Sequence, residues 1–416
     1  SQLAQAIGEL KSTVYRPYMT VLASRDQLCI HDMARKVSGS RLNTACRALT
    51  APSRRGCKYH LAVMSPRDHE NRSKALLQLL KDEPPKDIED LTEFGMREGA
   101  CPWYLTRHAA SSGEVEVLFV PYNYLIDRNA RDSLDLDWAN DVIIIDEAHN
   151  LESICSEALS FDLTPAVRIG CHEELQKCID KALTSSGVSF PALDELAKTD
   201  HGAAQVIGSE NREALEFRLL LAMLKQIEVA IKEVSIPTAN SLNVSAPLFV
   251  SHPGTFLRQL FSGVNSNGVT ESSAPLVLEV LERAIDSSSG QPDRHPGHER
   301  SPDTRSSSPG FLRVLHNAIR ILFNPLLSTQ EKSFRSVIYP ADSKNPTAER
   351  TISYWCFSPA VAMKEFLALR VRSLVLTSGT LSPMDSFACE LGVEFPVRLE
   401  NRHVIGADQV WAGVVC

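Results

Sequence analysis

Two adjacent carboxylates follow four aliphatic residues in the run Val142-Ile143-Ile144-Ile145-Asp146-Glu147-Ala148-His149. A buried strand that ends in acids holds them rigidly at its C-terminal end, where open α/β sheets bind ligands. This is the pattern of the second half of a nucleoside-triphosphate site. Asp146 would hold Mg²⁺ through water, and Glu147 would orient and polarise the attacking water. Neighbouring residues at a strand end can divide these jobs, because a general base needs only hydrogen-bond reach of its water. The alternative, a strand ending in a polar turn, is disfavoured by the four aliphatics that lead straight into the acids.

A second set is Cys29, Cys46, Cys57 and Cys101, with 16, 10 and 43 residues between them. Four thiolates can hold one zinc ion or one four-iron cluster. Zinc modules usually bring ligands in close C-x₂-C pairs, and none occurs here, which points towards a cluster and leaves zinc open; buried free thiols are a third option, disfavoured for four cysteines in a region with so little core. Cys155, Cys171, Cys178, Cys356 and Cys389 read as small apolar residues in helices or strands, and Cys416 ends the chain. Around the first three cysteines lies a basic island. Arg25, Arg35, Lys36, Arg41, Arg47, Arg54, Arg55 and Lys58 are opposed there only by Asp26 and Asp32, a local excess of +6 on a chain of net charge −8. Such an island suits phosphate contact, and a solvated basic loop fits equally well. A third feature, Thr377-Ser378-Gly379-Thr380-Leu381-Ser382-Pro383, puts hydroxyls and a glycine directly after a strand; read alone it is only a turn.

The elements that must position these groups follow from periodicity. The 416 residues suffice for two or three domains with ordinary globular composition. No apolar run is long enough to span a membrane, and no secretory leader opens the chain. Ser1 stands within a helical pattern with no initiator Met, which we read as a fragment. Leu3, Ile7 and Leu10 share a helical face over 2–14, and Met19 to Ala23 reads as a strand. Residues 29–104 lose clear periodicity, so an irregular insertion is expected there. Val115 to Val120, Val142 to Ile145 and Ser373 to Leu376 read as strands. The second is aliphatic on both faces, as a central parallel strand covered by helices requires. Between 166 and 350 the texture is mostly helical. The clearest helix carries Leu220, Met223, Leu224, Ile227, Ile231 and Val234 before Pro237, with others at 172–184, 275–285 and 311–323. Asp286 to Gly310 is rich in Ser, Pro, Arg and His and is expected to be disordered.

The three features, in this order, resemble the superfamily 2 DNA helicases that carry an iron–sulfur domain. The matching segments are Ser1-Gln2-Leu3, the four cysteines, Pro121-Tyr122-Asn123-Tyr124-Leu125, the D-E-A-H box and Thr377 to Pro383. Within that group the chain is most similar to the regulator of telomere elongation type. Ser24-Arg25-Asp26-Gln27-Leu28-Cys29-Ile30-His31, Ser160 to Pro165 and Ser353-Tyr354-Trp355-Cys356-Phe357-Ser358-Pro359 carry that likeness. The Fanconi anaemia group J type is a near relative through Leu381 to Phe395.

The resemblance implies an α/β fold, a RecA-like motor domain with a parallel sheet. An iron–sulfur insertion and a mostly helical arch would interrupt it. Its domains would be 1–28, 105–165 and 351–416 for the motor, 29–104 for the cluster and 166–350 for the arch. It implies that Cys29, Cys46, Cys57 and Cys101 ligate a [4Fe–4S] cluster, and that ATP and Mg²⁺ meet Asp146 and Glu147. His149 with Ser378, Gly379 and Thr380 would couple hydrolysis to DNA. Gln2, Arg25, Arg47, Arg54, Arg55 and Lys58 would contact single-stranded DNA or junctions without reading sequence. The implied parent is a nuclear 5′-to-3′ helicase that unwinds displacement loops and G-quadruplexes in telomere maintenance and DNA repair, with repair or replication proteins as partners and no membrane. The sequence departs from the pattern at one point: it contains no G-x-x-x-x-G-K-[ST], so these residues alone are expected not to turn over ATP. A truncated, non-catalytic DNA-binding or interaction module, and a zinc-stabilised interaction protein, are the readings from other classes.

Overall fold

The computed structural model describes residues 2–50, 56–64, 70–134, 136–186, 209–235, 249–263, 268–288, 310–340, 349–401, and 409, 411 and 413. Helix α1 (Gln2–Ser12) precedes strand β1 (Met19–Val21). Six helices follow: α2 (Arg25–Leu28), α3 (Gly39–Thr50), α4 (Lys58–Met64), α5 (Glu70–Asp82), α6 (Ile88–Glu98) and α7 (Pro102–Ser111). Strand β2 (Val117–Phe119), short helices α8 (Asn123–Ile126) and α9 (Arg128–Asp132), and strand β3 (Val142–Ile145) return to the sheet. Helix α10 (Leu151–Ala158) and strand β4 (Phe161–Leu163) lead into long helices α11 (Pro165–Ser186) and α12 (Ser209–Glu233). Then come β5 (Val250–Pro253), α13 (Thr255–Ser262), α14 (Ala274–Ser288), α15 (Phe311–Leu322) and α16 (Pro325–Ser328). Strands β6 (Phe334–Pro340) and β7 (Arg350–Cys356), helix α17 (Pro359–Leu367), strand β8 (Ser373–Leu376) and helix α18 (Met384–Leu391) complete the described order.

Strand β1 pairs in parallel with β2, and β3 with β8, in the register Val142↔Ser373 to Ile145↔Leu376. The β3–β8 pair places the D-E-A-H turn and the Thr377–Pro383 turn side by side at one end of its sheet. A separate antiparallel sheet has the order β4-β7-β6-β5. Its strands β5 and β6 lie inside the stretch expected to be mostly helical; they were hidden because each is short and flanked by strong helical stripes. The stripe on α12 is where expected, with Leu220, Met223, Leu224, Ile227 and Ile231 buried. Together with Leu312, Leu315, Ile319, Ile143, Ile145 and Phe366 it forms one large core.

Three expectations need correction. Residues 29–104 are helical among their described positions and possess an apolar core. Leu76, Leu80, Leu91, Phe94 and Leu105 pack there with Ile7, Met19 and Val21. The helices are short and share their apolar faces among several neighbours, so no long stripe accumulates in the sequence. The tract from Asp286 starts inside α14, which runs to Ser288, and its residues 289–309 lie outside the described ones. Among the described residues, strand β3 is covered on one face only. Ile143 and Ile145 are buried, whereas Val142 and Ile144 are 55% and 68% exposed, as is Val375 of β8 at 44%.

Candidate functional site: a carboxylate turn and a four-cysteine cavity

The end of β3 is bound to the end of β8 by the backbone. The Thr377 N–H donates to the Ile145 carbonyl at 2.9 Å, and the Ala148 N–H donates to the Thr377 carbonyl at 3.0 Å. Between these bonds Glu147 adopts a left-handed conformation, φ 50° and ψ 43°. A non-glycine residue in that region is strained and persists where its surroundings over-determine it. The strain is accompanied by a side-chain triangle. His149 Nδ1 lies 2.8 Å from Ser378 Oγ and 3.2 Å from Glu147 Oε2, and Ser378 Oγ donates to Glu147 Oε2 at 3.3 Å. The Asp146 carboxylate is exposed and free to face a ligand. Of the coupling residues, Ser378 joins the triangle by its side chain and Thr380 only through its N–H to Ser378 Oγ at 3.4 Å. Gly379 is exposed, with open space where a Cβ would stand.

Tyr122, which precedes α8, donates its phenol to the Asp146 backbone oxygen. Burial, then the charges of Asp146 and Glu147, push its pKa up. The sequence reading assigned Tyr122 no role. Its only signal was membership of the Pro121–Leu125 motif, because a contact across 24 residues leaves no periodic trace.

The four cysteines come from four different elements and line one cavity. Cys29 follows α2, whose N-terminus Ser24 and Gln27 close reciprocally. Cys46 lies within α3, Cys57 immediately precedes α4, and Cys101 is the N-cap of α7, with Pro102 at the first helical position. The Cys101 N–H donates to the Tyr59 carbonyl at 3.0 Å, which ties α7 to α4. Ile30, His31, Leu49, Tyr59, His60 and Tyr104 complete most of the wall, and among the described residues no carboxylate lines it. Burial pushes the Cys101 thiol up to about 12, and the neighbouring Cys57 and Cys46 add to the effect. Cys29 and Cys57 are raised for the same reasons. Soft donors gathered in apolar walls fit a thiolate-bound metal centre. Among the described residues no three His, Cys, Asp or Glu side chains are arranged to hold one metal ion.

The basic residues are scattered more widely. Arg25 stacks on Trp103, with its Cζ 3.5 Å from the ring centre. Arg47 of α3 is exposed, and its pKa is lowered by partial desolvation first, then by Arg313 and Arg25. Lys58 is exposed and stands over the Tyr59 ring at 4.9 Å. Arg54, Arg55 and the side chain of Gln2 lie outside the described residues. Trp103 and Arg107 carry no signal in the sequence, and Tyr124 only its place in the Pro121–Leu125 motif, although the three tie α7 to α8. Arg107 Cζ lies 3.7 Å from the Trp103 ring centre, and its Nη2 donates to Tyr124 OH at 2.8 Å. Cys155, Cys171, Cys178 and Cys356 are buried as expected, Cys389 is exposed, and Cys416 lies outside the described residues.

Comparison with known proteins gives two successive family matches, DEAD_2 over residues 1–167 and "RTEL1 helicase, ARCH domain" over residues 170–359. The "Regulator of telomere elongation helicase 1 homolog" of Oryza sativa subsp. japonica is 38% identical over 426 residues, aligned with 100% of this chain and 38% of that protein. The Homo sapiens "Regulator of telomere elongation helicase 1" is 32% identical over 440 residues, aligned with 100% of this chain and 33% of that protein. The chain therefore spans little more than a third of these relatives. Among solved structures, "Truncated XPD" aligns with 94% of this chain and 82% of that one, at 14% identity and a TM-score of 0.43.

Proposed function

Because the chain belongs to the regulator of telomere elongation helicases, with their DEAD_2 region and ARCH domain in succession, we propose that it supplies the cluster-bearing and arch-bearing part of an ATP-dependent 5′-to-3′ DNA helicase. Its parent would act in the nucleus on displacement loops and G-quadruplexes.

In this reading Asp146 would hold Mg²⁺, which would supply charge neutralisation for the transferred phosphoryl group. Glu147 orients the attacking water. Ser378 donates to Glu147 and lies beside His149, so a shift of the Thr377–Pro383 turn would move the carboxylate that orients the water. Tyr122 holds the peptide oxygen of Asp146 from the other side. Cys29, Cys46, Cys57 and Cys101 would bind a [4Fe–4S] cluster as thiolates, and the centre would pin α2, α3, α4 and α7 together. Arg25, Arg47 and Lys58 would contact phosphates of a single strand, a contact weakened by salt.

The convergence of four thiols from four elements on one cavity carries this reading. Iron and acid-labile sulfide measured on the anaerobically purified chain test it. About four irons per chain are expected, with matching sulfide, and depletion in Cys57→Ser. Zinc in place of iron would remove the cluster from the reading and leave the D-E-A-H turn standing. These 416 residues contain no phosphate-binding loop, so no ATP hydrolysis is expected from them by themselves. Hydrolysis abolished by Asp146→Asn would overturn that expectation.

A further inference from the structure

Trp103 is held between two cations. Arg25 Cζ and Arg107 Cζ stand 3.5 Å and 3.7 Å from its ring centre. Two guanidinium carbons that close to one centroid have no room on the same face, so they sandwich the indole. Their hydrogen bonds go to neutral groups. Arg25 Nη1 donates to Asn43 Oδ1 at 3.1 Å and Arg107 Nη2 to Tyr124 OH at 2.8 Å. Arg25 Nε and Arg107 Nη1 are buried with no hydrogen-bond partner among the described residues. Burial is the main cause lowering the Arg107 pKa, and Arg25 lowers it further.

Desolvated cations with no anion beside them are costly, and a stable fold normally offers compensating negative charge nearby. The anchoring of the stack says where that charge belongs. Trp103 follows Cys101 by two residues, about 3 Å of helix rise. Arg25 opens the four-residue helix α2, and Cys29 directly follows its last residue, Leu28. Asn43 sits about one turn before Cys46 on α3. Arg25 therefore stands on the element that leads to Cys29 and bonds to the element of Cys46, Arg107 stands on the element that Cys101 caps, and among the described residues no carboxylate lines the cavity.

We propose that Arg25 and Arg107, clamped on Trp103, are the built-in counter-charge of the four-cysteine centre and set its reduction potential. This rests on the cluster reading above: four thiolates outweigh the positive charge of a four-iron core, so the bound centre is a net anion. Reduction adds one electron to that anion. Nearby positive charge favours the reduced form, so removing it makes the midpoint potential more negative. Arg107→Gln removes the charge and keeps an N–H donor for Tyr124. Arg107→Lys keeps the charge and loses the flat stacking group.

The test is a dithionite titration of the anaerobically purified full chain, followed by electron paramagnetic resonance, after iron and sulfide have been counted. Arg97→Met serves as a control, since Arg97 is exposed on α6 and paired with Glu83. Midpoints shifted negative in Arg107→Gln and Arg25→Gln, with Arg107→Lys and Arg97→Met near the parent value, are expected. Loss of iron from Arg107→Gln with retention in Arg107→Lys would express the same charge requirement more strongly. Equal iron and equal midpoints in every variant overturn the counter-charge and leave the cluster reading intact. Iron lost equally from the Gln and Lys variants shows a packing role and also overturns it. A parent chain without iron overturns both readings at once.

Discussion

Burial governs the chemistry of this chain's thiols. Cys155 and Cys171 are enclosed in the large core and pushed from an ordinary 9.0 up to about 12, Cys178 up to about 11. A group whose folded pKa lies above its unfolded value stabilises the fold below the unfolded pKa and loses that contribution as pH climbs through the folded one. Denaturant midpoints of the metal-free chain should therefore be unaffected by these thiols up to about pH 9 and decline from there towards 12, with a shallower decline in Cys171→Ala. At neutral pH the same burial governs access. Mass spectrometry after brief alkylation should find Cys389 modified first, and Cys155 and Cys171 only after unfolding. Early modification of Cys155 would show that the α10 side of the core opens freely.

Helix contacts, more than side-chain chemistry, set the shape of the cysteine cavity. Gly95 of α6 faces the start of α7: a Cβ there would come within 2.4 Å of Pro102 Cγ and 2.7 Å of the Ala100 carbonyl oxygen. Both neighbours flank Cys101, and neither a proline ring nor a peptide oxygen yields easily. Gly95→Ala should cost about 1–3 kcal/mol by overpacking. Because the displaced segment carries a candidate ligand, it should also lower the iron retained per chain. Thermal unfolding and iron analysis of the same preparation check both. Normal iron content with a lowered melting temperature would show that α7 moves without moving Cys101.

At the scale of the described residues, one side of the β3–β8 sheet is bare. Val142, Ile144 and Val375 stand on it while Ile143 and Ile145 point into the core. A flat aliphatic sheet face in water is an association surface. The chain should therefore self-associate with rising concentration in light-scattering measurements. Ile144→Thr should reduce that association and leave the melting temperature nearly unchanged, since Ile144 buries little area within the chain. An unchanged association state would place the sticky surface elsewhere.

What could be read from the residues alone was whatever depends on near neighbours in the chain. Val142–Ile145 declared a strand because four aliphatics and two acids are contiguous. The α12 stripe was legible because 3.6-residue periodicity repeats over about four turns from Leu220 to Val234. The resemblance to the iron–sulfur helicases came from short linear motifs, which survive in any alignment of neighbours. The number of cysteines was equally plain. Their convergence was not, since stretches of 16, 10 and 43 residues allow many arrangements and only the packing of α2, α3, α4 and α7 selects one. Residues 29–104 hid their helices because each helix buries a narrow face against several short partners. The spacing of Trp103 and Arg107, one helical turn, was visible; Arg25, 78 residues before Trp103, could join them only through tertiary folding. The same holds for Ser378 beside Glu147 and His149, brought together by the parallel pairing of β3 with β8. Local patterns fix what each element is, and the burial of apolar faces against one another decides which elements meet.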